Sequence, residues 1–133
     1  MKFVLFCSFL AFCAFETAFS DAAADRRLSN QLYNMKFASM QQINDITNPI
    51  LQRIQRDVDA AKTNGKNAQP CYETARIEMK SYVDPGFSNL ERCRVDALAA
   101  KSIPYASSCN SEVVSTFRQN ANTVSAQSCL TNL

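Results

Sequence analysis
The chain has 133 residues, 47% of them apolar, with a formal net charge of +2, six cysteines, two glycines and no histidine. The missing histidine excludes imidazole acid–base catalysis, histidine-based triads and zinc sites with imidazole ligands. A small charge spread without long runs of one sign leaves no footprint for nucleic acid or an acidic membrane, so neither partner is expected.

Residues 1–20 read as a secretory leader. Lys2 supplies a positive start, residues 3–15 are apolar but for Ser8, and Ala18-Phe19-Ser20 places small residues where a signal peptidase cuts. The apolar run is shorter than the roughly 20 residues that span a bilayer, so no membrane insertion is expected once the leader is gone. Asp21 is then the first mature residue. Cys7 and Cys13 leave with the leader, and residues 21–133 form a single helical domain with four cysteines. The expected location is extracellular. No Asn-x-Ser/Thr acceptor for an N-glycan occurs. The dibasic pair Arg26-Arg27 reads as a solvated helix N-terminus in preference to a processing site.

Few glycines amid frequent Ala, Gln, Arg, Leu and Met favour an all-α fold. Over residues 28–61, Leu28, Leu32, Met35, Ser39 or Met40, Ile43, Ile46, Ile50, Ile54, Val58 and Ala61 recur at steps of three and four, which marks one face of a helix. Pro49 interrupts the backbone bonding but not the phase of this stripe, which predicts one long kinked helix. A straight rod of this length would reach roughly 50 Å and overrun a compact domain. Asn64-Gly65 ends it, with Gly65 suited to a left-handed cap.

Pro70 opens a second helix carrying Cys71, Ala75, Met79, Tyr82 and Val83. Asp84-Pro85-Gly86-Phe87 is expected to interrupt this helix, and the capping box Ser88-x-x-Glu91 to restart it, with Leu90, Cys93, Ala97 and Leu98 continuing the apolar face. Ile103-Pro104 makes a turn. Tyr105, Cys109, Val113, Phe117, Ala121, Val124 and Cys129 then define a last helix, which completes a C-terminal helical hairpin.

Four cysteines in an oxidising compartment predict two disulfides. In an antiparallel hairpin, residues at equal height have numbers adding to a constant. That number is 200 for Cys71 with Cys129 and 202 for Cys93 with Cys109, so this nested pairing is preferred. The crossed pairing, Cys71 with Cys109 and Cys93 with Cys129, is the alternative if the Asp84-Pro85-Gly86 break folds the first arm back.

No catalytic or metal-binding motif stands out, and no cofactor is expected. Asp57 and Asp59 point to different helix faces, and Glu73 and Glu78 lie among polar neighbours, so these carboxylates read as surface charge. Tyr33, Phe37, Tyr82, Phe87 and Phe117 are candidates to line a ligand cavity between helices, although core filling accounts for them equally well.

Cys71-Tyr72, Tyr82 and Phe87 before Cys93, Ala97 four places beyond it, and Cys109 with Phe117 before a final cysteine resemble the TsetseEP-type domain of secreted insect proteins. The resemblance covers about residues 28–129. It implies an exported, helical, cysteine-bridged protein of gut or other secretory tissue, with no enzymatic activity. The expected function is therefore non-enzymatic binding to an extracellular protein or a microbial surface. A carrier of small apolar ligands, similar in size and helicity to insect odorant-binding proteins but lacking their six cysteines, is the alternative.

Overall fold
The structure, a computed structural model, describes the backbone of residues 2–133 and the side chains of residues 21–133. The leader reading therefore lies outside the described side chains. Three long helices, α1 (Lys2–Thr63), α2 (Gln69–Ala100) and α3 (Ile103–Ala121), pack against one another in all three pairs, and a short α4 (Gln127–Thr131) closes the chain. The fold is a small, disulfide-bridged all-α bundle.

The apolar stripe of α1 behaves as its spacing predicts. Leu32, Ile43, Ile50, Ile54 and Val58 are all buried, and the helix continues through an exposed Pro49. Two residues earlier the buried Thr47 donates its hydroxyl to the Ile43 carbonyl at 2.8 Å. Side-chain bonding of this kind favours a bent helix, as does the proline. The helix already includes residues 21–27, so Arg26 and Arg27 are exposed within it and do not mark its start.

Gly65 takes φ +81° just past the end of α1. Lys66 donates to the Ala61 carbonyl and Gly65 to that of Lys62, which satisfies carbonyls that the helix leaves open. Pro70 then occupies the first turn of α2, where its missing N–H removes no bond.

Two sequence expectations are corrected. First, α2 runs unbroken from Gln69 to Ala100 through Asp84-Pro85-Gly86, and Ser88 is exposed within it instead of capping a new helix. Gly86 is buried because α1 passes close by. A Cβ built on it would lie 3.1 Å from Ile43 Cδ1 and 3.9 Å from Phe117 Cδ2. Its lack of a side chain serves helix–helix approach, not a turn. Second, the last helix ends at Ala121. Asn122, with the Thr123 hydroxyl bonded to the Asn120 carbonyl at 2.7 Å, turns the chain. Val124 and Ala126 tuck into the core before α4 begins with Ser125 Oγ accepting from the Gln127 N–H.

The turn between α2 and α3 falls at Lys101-Ser102, one step before Ile103-Pro104. Lys101 adopts φ 49°, Ser102 N–H reaches the Ala97 carbonyl, and Ser102 Oγ caps α3 by accepting from the Tyr105 N–H at 3.2 Å. Ile103 and Pro104 form the first turn of α3.

Disulfides join Cys71 to Cys129 and Cys93 to Cys109, with Cα separations of 5.6 and 5.7 Å. The first ties α2 to α4 at one end of the bundle, and the second ties α2 to α3 at the other. The main core gathers Ile43, Ile54, Val58, Met79, Leu90 and Phe117, and a smaller cluster of Leu32, Ala97 and Ala106 lies nearer the second bridge.

Candidate functional site
The five aromatic residues proposed to line one cavity do not meet. Tyr82 and Phe117 border a groove of about 240 Å³ on the α2–α3 seam, with Pro85, Gly86 and Val113 among its walls. Phe87 packs against the main core. Tyr33 and Phe37 point outward from α1 and are 55% and 52% exposed. The reason is phase: 33 and 37 stand one position after the buried 32 and two before the buried 39, which turns both rings to the flank of the helix. A second concavity, of about 200 Å³, lies on the α1–α3 seam among Met35, Ser39, Gln42, Ser107 and Asn110. Both hollows open to solvent.

What the tertiary structure does assemble is a face at one end of the bundle. Helices α1 and α2 run antiparallel, and their facing pairs Asp25–Lys101, Lys36–Glu91 and Ile43–Gly86 fix the register. That register sets Tyr33 level with Val95 and Phe37 level with Glu91. Lys36 bridges the seam: its ammonium bonds the Glu91 carboxylate at 2.8 Å and stands 5.2 Å from the centre of the Tyr33 ring. Arg94, one turn on from Glu91, closes on the same carboxylate with two bonds at 2.6 and 3.0 Å. These hydrogen bonds, from Arg94 first and Lys36 second, hold the Glu91 carboxyl at about 2, well below its ordinary value of 4.5.

Val95, four residues beyond Glu91, shares its flank of α2 and is exposed. Tyr105, in the first turn of α3, is exposed at the same end, because Cys93–Cys109 sets it close to the level of Ala97. The spacing of the sequence stripe predicts Tyr105 inside. The buried residues of α3 are instead Ala106, Asn110, Val114, Phe117 and Ala121, since this helix must face α1 as well as α2. Tyr33, Phe37 and Tyr105 are thus the exposed aromatic side chains among the described residues, and all three belong to one end.

The carboxylates weighed for acid–base work sit apart. Asp57 and Asp59 are exposed on α1, Asp59 accepting from Gln55 at 2.9 Å, and Glu73 pairs with Arg76 at 3.0 Å on the surface of α2. Among the described residues, no group of three Asp, Glu, His or Cys side chains could hold a metal ion, and no helix is long and apolar enough to cross a membrane.

Little of the face was visible in linear order. Glu91 and Arg94 at i,i+3 were legible as a helix pair, but nothing local ties either to Lys36, which lies 55 residues away. Comparison with protein-family models, with curated proteins and with solved structures yields no match to this chain.

Proposed function
We propose that the protein is secreted, has no enzymatic role, and works by binding an extracellular protein or a microbial surface in gut or another secretory fluid. The observation that carries this reading is the gathering of the three exposed aromatics, Tyr33, Phe37 and Tyr105, at one end of a bundle whose other four mature aromatics are at least partly buried. Large apolar rings left in water at one place mark contact surfaces. The two disulfides fit an oxidising compartment, and the likeness to TsetseEP-type domains adds the secretory setting. A carrier of small apolar ligands would use the groove at Tyr82 and Phe117. Its 240 Å³ and open side fall short of the roughly 300 Å³ at which ligand pockets begin, so the exposed end is the better supported site.

Protein recovered from the medium of cells expressing the full chain should begin at Asp21. It should also be retained on immobilised secretion proteins or on killed microbial cells. Changing Tyr33, Phe37 and Tyr105 together to Ser should abolish that retention while leaving the helical circular dichroism unchanged. Retention indifferent to all three substitutions overturns the reading.

A further inference from the structure
The net charge of the chain is spread in sequence but gathered in space. From Asp21 onward, residues 38–90 and 111–133 balance seven Lys and Arg against seven Asp and Glu. Residues 21–37 and 91–110 carry the whole net charge of +2. These two segments are the ones that α1, α2 and α3 bring together at the end bearing the exposed aromatics. Within it, Asp25 is matched by Lys101 at 3.4 Å, and the single carboxylate of Glu91 answers both Lys36 and Arg94, leaving one positive charge over. Arg26, exposed and two turns before Tyr33, continues the flank of α1 that carries Tyr33 and Phe37.

We infer that this end is a docking surface for anionic phospholipid, which rests on the binding reading above and names its partner. Two features select a lipid surface over a peptide. The aromatics stand on two different helices, α1 and α3, at nearly one level of the C-terminal part of α2, and the net charge of that same end is positive. The side-chain chemistry is that of the interface: Tyr sets a ring among acyl chains and a hydroxyl among headgroups, and Arg and Lys lay apolar stems down while their charges meet phosphate. The mode is contact from outside, since no described helix is apolar enough to span.

The test is co-sedimentation of the secreted protein with vesicles of phosphatidylglycerol and phosphatidylcholine, against phosphatidylcholine alone, at low and high salt. Binding to the anionic vesicles, lost in high salt and absent from the neutral ones, is expected. Tyr33→Ser with Phe37→Ser should weaken it at least tenfold, and Arg26→Gln about fivefold, the weight of one basic residue at an anionic surface. Ile77→Ser, on an equally exposed apolar side chain of α2 away from this end, should leave it unchanged. If vesicles do not bind while retention on secretion proteins persists and still needs Tyr33 and Phe37, the lipid inference falls and the binding reading survives. If neither vesicles nor secretion proteins respond to the aromatic substitutions, both fall.

Discussion

Gly86 is where one absent side chain decides most. Its Cα faces α1 so closely that a methyl group would press on Ile43 Cδ1, a buried atom at the end of a flexible side chain. Alanine at this helical site gains up to about 1 kcal/mol of intrinsic helix preference, which the crowding of Ile43 offsets. Gly86→Ala should therefore lie within about 1 kcal/mol of the parent, while Gly86→Leu overpacks the seam and should cost about 1–3 kcal/mol, read from urea midpoints. Glu91 makes a different prediction. Its folded carboxyl titrates near 2, below its ordinary 4.5, so its contribution is present above pH 4.5 and is lost as pH falls from there toward 2. The side chain is 44% exposed, so solvent screens the pair and the contribution stays under about 1 kcal/mol. Acid unfolding of Glu91→Gln should accordingly show a shallower loss of stability across pH 4.5 to 2, and 1 M salt should reduce the difference.

At the scale of elements, Pro49 separates phase from backbone bonding. The buried series Ile43, Ile50, Ile54 and Val58 keeps α1 in register through a residue that cannot donate, because burial on one face outweighs a single missing bond. Pro49→Ala restores that donor at an exposed position and should raise stability by about 1 kcal/mol or more, seen as a higher Tm. A lower Tm would mean that the packing of α1 depends on the backbone geometry the proline imposes. The same balance holds at Asp84-Pro85-Gly86. These residues favour a turn, but α2 has a buried face on both sides of them, in Met79 and Leu90, and tertiary contact carries the helix across. At the end of α3 the local signal won. Asn120, Asn122 and Thr123 favour turns through side-chain bonds to the backbone, and Val124 still reaches the core from outside the helix.

For the whole molecule, the disulfides hold opposite ends. The Cys71–Cys129 bridge closes a separation of 58 residues and Cys93–Cys109 one of 16. Loop-entropy arithmetic then assigns about 4 kcal/mol to the first and about 3 kcal/mol to the second. Paired Cys→Ala variants should lose stability in that order by chemical denaturation. Removing Cys93–Cys109 should also speed amide exchange most around Leu32, Ala97 and Ala106, because the core there is the smaller one. A reversed order would place more of the packing energy at the aromatic end than its buried cluster supports.

Read along the chain alone, the residues establish the helical class, the buried stripe of α1 over residues 28–61, the Gly65 and Pro70 punctuation, and the preference for nested cysteine pairs. Each follows from a period or spacing within one helix or one hairpin. Packing of the helices against one another is what makes Gly86 a contact point and leads α3 to bury Ala106 in place of Tyr105. It alone set Tyr33 and Phe37 outside the core, joined Lys36 to Glu91 and Arg94, and brought the net charge to one end. These depend on the rotation and register of one helix against another, which long-range packing fixes and which no local pattern encodes.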